Sequence, residues 1–527
     1  MTSSEGTEDH ERPVRRDFIE EVGQPHQSQM QLAGLGHNVL WIALPTAFTM
    51  AGGFFLLAFS IRKVGRIEYG AMVTITSAAS ILTMMFLGLR YSVTRSAASA
   101  ASLGVIVEDG TEAEAVRTAH SLFVFGALGL TLIGGGVAWL IPLDLGIRGP
   151  MAFQIYLACI IAIVGSAVTL AMTAYGGILT SQEMFARTGK IGLLGFACQT
   201  ALTLTLAGPL RVVGLAIAGL GSALLQGLLF YFFGRKSAPW MRLWPRWPKA
   251  ATVSPVLRYA SGIALLSATS TICAASDAFI LGLFGGGGFV TVFRVGSIAP
   301  VGLVAVLYLS FGVLFPRLIR NPDPKIQEEG IGWLGGSIGW ASGALFGALC
   351  LLGPDFVRFL YGRSDSTSVH ILWICSAALC IDVSYHGVVQ GIFARGQQGV
   401  MAKFTWVELV LNLSVTVLGV KLFGPLGSAL ALAITISATD FIGFPIIARG
   451  RWGSPPGRFV MKHGVLQSAV GGAIVLLIGF APITFISGFL PHVLFTGLAM
   501  TISMLIGFFS LGASGRSRAR LFFSSAS

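Results

Sequence analysis

About 14 apolar runs of roughly 20 residues follow one another along this chain, and they settle its fold class. A run of that length, wound as helix, spans the hydrocarbon core of a bilayer. Backbone groups in lipid must find their hydrogen bonds within the segment, so the runs are expected to be helices rather than open sheet. The strands of an outer-membrane barrel would be about 10 residues long with strict alternation, and no such pattern is present. Only 11% of the 527 residues are charged, well below the roughly 25% of a soluble domain. The expected fold is all-α: a polytopic membrane protein with about 14 transmembrane helices.

The runs lie near 37–60, 70–89, 119–142, 152–174, 188–208, 211–233, 259–283, 290–315, 331–353, 368–392, 403–422, 426–448, 465–487 and 492–511. A tight Gly208-Pro209 turn is expected to join the fifth to the sixth. With the N-terminus inside, the inner segments hold about 25 of the 35 Lys and Arg residues and the outer loops about 8. That bias places both termini in the cytoplasm. The net charge of +12 is therefore a topology signal, and nucleic acid is not an expected partner. One loop runs against the bias. Arg62, Lys63 and Arg66 would face outward, which suggests a task other than topology.

Residues 1–35 read as a cytoplasmic disordered tail, 36–234 as an N-lobe of six helices and 235–257 as a basic cytoplasmic linker. Residues 258–450 read as a C-lobe of six helices, and 451–527 as two extra helices with a basic cytoplasmic C-terminus. The linker GRKSAPWMRLWPRWPKAA joins five basic residues to three tryptophans, a composition suited to the anionic inner leaflet. AGPLRVVGLAIAG at the end of run five compares with FGPLGSALALA at the end of run eleven, about 215 residues on. FFLLAFS near the end of run one compares with DAFILGLF, about 224 on. An even number of runs separates the copies, which predicts a parallel two-lobed repeat. The six cysteines lie inside apolar runs without CxxC spacing and read as small packing residues.

Ionisable groups at membrane depth are costly, at least about 2.5 kcal/mol each at the centre, and so mark function or specific pairing. Asp277 and Arg294 flank the glycine turn Gly285–Gly288 at matching depth. They form either an ion pair locking the helix hairpin or a polar wall for a charged substrate. Asp382, His386 and Gln390 stand at i, i+4 and i+8, on one helix face. Glu408 and Asn412 repeat the spacing on the next run, and Asp440 lies on the one after. Asp382, His386, Glu408 and Asp440 are the candidates for ion coupling, the alternative being interhelical hydrogen bonds that hold the bundle. Arg90 and Arg95 at the inner end of run two, and Arg258 opening run seven, suit either snorkelling to head groups or a diphosphate at the cavity mouth. No nucleotide, metalloprotease or serine-hydrolase motif is found, and an enzyme is not expected.

Asp277, Gly282 and Arg294 with their turn, the Phe315-Pro316 step, LNLSVTVLGVKLFGPLGSALA (411–431) and LLAFSIRKVGRIEYGAMV (56–73) together resemble one family. It is the polysaccharide transporter branch (Wzx-type oligosaccharide flippases) of the multidrug/oligosaccharidyl-lipid/polysaccharide (MOP) exporter superfamily. The resemblance runs from about 36 to 450. It implies two six-helix lobes about a central cavity, here with two added C-terminal helices. It also implies flipping of a polyprenyl-diphosphate-linked oligosaccharide across a bacterial inner membrane by alternating access, for polysaccharide export. Arg294, Asp277, Arg90, Arg258 and Arg62 would then be the substrate or cavity residues. No bound cofactor is implied beyond H+ or Na+ as coupling ion, and the partners would be polysaccharide polymerase or export machinery. The alternatives are a drug or metabolite exporter of the same superfamily, a lipid II flippase-like protein, or a membrane enzyme acting on lipid-linked sugars.

Overall fold

The computed structural model describes residues 45–97, 111–140, 149–312, 324–394, 398–446, 460–485 and 489–510, excepting 47, 85, 87, 88, 91, 95, 183 and 444. Both chain ends, the Phe315-Pro316 step and Arg95 lie outside the described residues. Every regular element described is a helix. The first is α1 (48–64), followed by α2 (Arg66–Met84), α3 (Thr111–Ala138) and α4 (Pro150–Ser181). The helical run Phe185–Ser237 breaks at Arg211 into α5 and α6, and Ala250–Gly312 breaks at Gly286 into α7 and α8. Then come α9 (Pro324–Tyr361), α10 (Ser366–Ala394), α11 (Gln398–Phe423) and α12 (Pro425–Ala438), which runs into a π-helical turn, Thr439–Gly443. A second π turn, Met461–Val465, leads into α13 (Leu466–Phe485), and α14 is Phe489–Ser510. Nine helical stretches among these are long and apolar enough to cross a membrane, and one of them, Ala186–Ser237, contains the break at Arg211.

The hairpin turns carry the repeat. Positive φ among the described residues occurs at six positions only, Gly65, Gly149, Arg211, Gly286, Gly362 and Gly424. Each of the six reverses the chain between an odd-numbered helix and the next. They pair across the lobes: Gly65 with Gly286 at 221 residues, Gly149 with Gly362 at 213, Arg211 with Gly424 at 213. At Gly149 and Gly424 a proline follows as the first helical residue, so glycine turns the chain and proline starts the next helix.

The third pair corrects the sequence alignment. Matching Gly-Pro-Leu by letters sets Gly208 against Gly424, and it places the first-lobe turn at Gly208-Pro209. The reversal falls three residues later, at Arg211 (φ 50, ψ −127). A left-handed conformation costs a non-glycine residue roughly 1–2 kcal/mol. Here the arginine side chain holds it, through a 2.8 Å ion pair with Glu68 Oε1 and a 3.2 Å hydrogen bond to the Val64 carbonyl. The helix contacts follow the same register. A Cβ at Gly214 would lie 2.3 Å from the Leu206 carbonyl oxygen, and one at Gly427 would lie 1.9 Å from that of Gly419. Both members of the second contact stand 213 residues after those of the first.

The first lobe buries a continuous core under α2, α3, α4 and α6, with Phe123, Ile155, Tyr175 and Ile178 almost fully enclosed. The second packs Phe346, Val383, Val388 and Phe404 around α8 to α12. The extra pair α13–α14 docks on α9 through small residues. Gly339, Gly343 and Gly347 of α9 face Gly464, Ser468 and Gly472, two runs with small residues every fourth position, which lets backbones meet closely. A Cβ at Gly343 would lie 1.9 Å from the Ser468 carbonyl oxygen, whereas Gly335 has nothing within 4 Å. Gly343→Ala is therefore expected to destabilise the protein by about 1–3 kcal/mol, the usual cost of overpacking a tight contact. Thermal unfolding in detergent checks this, with Gly335→Ala unchanged as the control.

Candidate functional site

The six turns gather at one face of the bundle, called here the turn face. The out-of-place basic loop finds its partners there. Arg62 Nη2 donates to the Phe359 carbonyl at 2.6 Å, across from the other lobe. The Arg66 guanidinium stacks 4.1 Å above the Tyr361 ring, and Thr291 donates its hydroxyl to the Arg66 carbonyl at 2.6 Å. Beneath these contacts Leu57, Ala58 and Ile61 of α1 pack with Val295, Val357, Leu360 and Leu372. The two lobes are thus clasped at the turn face, and Arg62 belongs to that clasp.

Just below it, α2 and α8 touch backbone to backbone. A Cβ at Gly70 would lie 1.7 Å from the Gly287 carbonyl oxygen, and one at Gly287 would lie 2.1 Å from that of Ile67. The contact needs glycine on both helices. Arg294 lies one level deeper, half-buried, within electrostatic reach of Tyr69 across the lobe boundary. Asp277, 3% exposed, turns the other way: it accepts from Thr416 Oγ1 of α11 at 3.2 Å. No ion pair joins Asp277 to Arg294 among the described residues. Their depths match, but their side chains serve different contacts. Asp277 ties α7 to α11 within the second lobe; Arg294 faces the first lobe.

The polar residues of α10 to α12 converge inside the second lobe. Tyr308 of α8 donates its hydroxyl to Asp382 Oδ2. Its ring also lies flat on the His386 imidazole, with centroids 3.7 Å apart and planes 11° apart. Gln390 Nε2 meets His386 Nε2 at 3.0 Å. The i, i+4, i+8 stripe is therefore one hydrogen-bonded and stacked unit, closed at its end by Tyr308. Glu408 of α11 and Asp440 after α12 stand within electrostatic reach of Asp382. Asp440 is 7% exposed, and its Oδ2 has no hydrogen-bond partner. It occupies the π-helical turn Thr439–Gly443, a distortion that recurs at functional sites. Among the described residues no Lys or Arg forms an ion pair with any of the three carboxylates. Three acids in a low-dielectric interior, with no ion-paired cation among the described residues, are an incomplete charge set.

Tyr308 is the site residue that the sequence reading missed, because a tyrosine in an apolar run carries no periodic or charge signal. Arg90 lies at the opposite end of α2 from the clasp, where Thr94 returns a hydrogen bond to its carbonyl. The Arg258 side chain lies outside the described residues. A separate apolar groove of about 340 Å³ opens between α9, α10 and α13, lined by Phe346, Cys350, Ile381, Ala469 and Leu476 among others.

No family model and no curated protein matches this sequence. Solved structures do match its fold. An inward-facing multidrug resistance MATE family transporter of the MOP superfamily superposes with TM-score 0.59 at 16% identity, over 80% of this chain and 99% of that one. The lipid II flippase MurJ in an inward closed conformation gives 0.63 at 15%, over 88% and 99%. A MOP superfamily transporter from Pyrococcus furiosus, described by the reverse polarity of its binding pocket, gives 0.55 at 16%, over 85% and 95%. The chain has the two-lobed fold of these transporters.

Proposed function

We propose that this protein is an ion-coupled, alternating-access membrane transporter that flips a polyprenyl-diphosphate-linked oligosaccharide between leaflets. The observation that carries the reading is the pairing of two repeat-related lobes, clasped at one face, with an uncompensated three-carboxylate cluster inside one of them. Lobes whose clasp of hydrogen bonds and glycine contacts forms and releases can rock against each other, giving access to each side in turn. The carboxylate cluster takes an external positive charge, and the Tyr308–Asp382 bond and the hydrogen-bonded His386–Gln390 pair favour a proton over a metal ion for that role.

The substrate assignment rests on chemistry at the lobe boundary. Each sugar hydroxyl that enters hydrocarbon unbonded costs several kcal/mol, so a glycan needs a polar path between the lobes. Arg294 sits on that boundary with a planar guanidinium suited to a diphosphate. The groove against α13 is apolar, and its volume of about 340 Å³ suits part of a prenyl chain. The Lys/Arg bias supports a bacterial inner-membrane topology with both termini in the cytoplasm and the turn face outside.

The test is reconstitution of the full chain into liposomes with a fluorescent polyprenyl-diphosphate oligosaccharide in one leaflet. Protein-dependent exposure of the sugar to a membrane-impermeant glycosidase, faster with an imposed pH difference, is the expected result. Efflux of a lipophilic cation without any movement of the glycolipid would overturn the substrate and favour the exporter alternative.

A further inference from the structure

The basic linker between the lobes is docked rather than loose. Ala238 and Met241 are almost fully buried. Arg246 donates its backbone N–H to Ser121 Oγ at 3.2 Å, and His120 Nε2 lies 3.1 Å from the Leu243 carbonyl. Trp247 stacks on Phe125, with ring centroids 5.0 Å apart. The linker is thereby seated on the first turns of α3, at the face opposite the clasp.

This seating builds a half-enclosed pocket lined by Arg117, His120, Ser121, Trp240, Arg242 and Arg246. Three guanidinium groups and an indole N–H supply its donors. The Arg117 guanidinium lies 5.5 Å above the Trp240 ring. The Trp240 indole N–H is buried and has no partner. His120 is 3% exposed, and its Nδ1 is also unpartnered. Because Nε2 meets a carbonyl, Nε2 carries the proton, and Nδ1 donates only in the imidazolium form. The Arg242 and Arg246 side chains are exposed and make no polar contact among the described residues. The one acid nearby, Glu114, lies 3.7 Å from Arg117 and 4.0 Å from Lys249. Three arginines thus line the pocket with one acid nearby, and a buried N–H lacks an acceptor. An anion with several acceptor oxygens completes such a set.

Two further observations identify the anion. The enclosed space is only about 20 Å³, room for a phosphate oxygen, while the rest of the ligand must lie outside. Trp244, which lines the pocket, and Trp247 three residues on are 81% and 87% exposed, in the manner of tryptophans that settle at head-group level. We propose that this pocket binds the phosphate of an anionic phospholipid headgroup and so anchors the interlobe linker to the membrane surface. The site is separate from the transport pathway, and its occupancy is measured without transport.

Delipidated full-length protein is titrated with phosphatidylglycerol, phosphatidylcholine or inorganic phosphate and followed by native mass spectrometry. Phosphatidylglycerol is expected to bind at least tenfold tighter than phosphatidylcholine. The exposed double variant Arg242→Gln/Arg246→Gln is expected to weaken it by about 30-fold, the loss of two basic residues near an anionic surface. Arg242→Lys/Arg246→Lys retains most of the affinity. Equal binding of the two lipids, or unchanged phosphatidylglycerol binding in the Gln variant, would overturn the site. Displacement of phosphatidylglycerol by millimolar inorganic phosphate would make free phosphate the ligand and overturn the lipid anchor.

Discussion

Asp382→Asn is expected to abolish the response of transport to a pH difference while leaving the fold intact. Asparagine keeps an oxygen that accepts the Tyr308 hydroxyl, so the stack of Tyr308 on His386 survives and only the titratable charge is lost. With one proton moved per cycle and no membrane potential, each pH unit across the bilayer is worth about 1.4 kcal/mol, a tenfold steady-state ratio between leaflets. The wild type is expected to approach that ratio, and the variant to stay near unity at any imposed pH difference. Glu408→Gln and Asp440→Asn test whether the cluster acts as one unit, since neighbouring acids titrate together. The readout is glycosidase accessibility in liposomes with a buffered pH step, alongside thermal unfolding to confirm the fold. A full response to pH in all three variants would remove the cluster from coupling.

The features of this molecule that depend on sums along the chain were legible in the sequence. Hydropathy averaged over twenty residues placed the helices, and the parallel repeat followed from paired turn motifs. Helical spacing placed Asp382, His386 and Gln390 on one face, where the structure joins His386 to Gln390 and seats Tyr308 on both Asp382 and His386. Features that depend on a partner far along the chain were not legible. Arg62 meets a carbonyl 297 residues away, and Asp277 meets a hydroxyl 139 residues away. Nothing local distinguishes either from a topology charge or a hairpin ion pair. The three-residue shift of the first-lobe turn depends on an arginine anchored to Glu68 and Val64, which no reading of Gly-Pro-Leu contains. The seat of α13 is a different case. Its small-residue spacing, Gly339-Gly343-Gly347 against Gly464-Ser468-Gly472, is a pattern present in the sequence itself.

Gly70→Ala is expected to hold the lobes apart at the turn face and to bring transport close to zero. The new methyl carbon would lie 1.7 Å from the Gly287 carbonyl oxygen. That oxygen belongs to the backbone, so no rotamer change relieves the overlap, and the lobes must separate or α2 must shift. Overpacking of this kind costs about 3 kcal/mol at the upper end of its usual range. Applied to the clasped conformer alone, that cost lowers its population relative to open forms by more than 100-fold. A transporter that cannot close one gate cannot complete its cycle, which makes the functional loss larger than the stability loss. Spin labels at Lys63 and Arg363, both exposed at the turn face, report the separation in a background with the six cysteines replaced. The wild type is expected to show a short distance and Gly70→Ala a longer one, with transport lost. Gly288→Ala is the control. It lies beside Gly287, yet a Cβ there meets nothing within 4 Å, so its distances and transport should match the wild type. Wild-type distances and transport in Gly70→Ala would mean that this backbone contact is not the closed gate. A long distance in Gly288→Ala as well would attribute the opening to helix stiffening at the turn rather than to the overlap between α2 and α8.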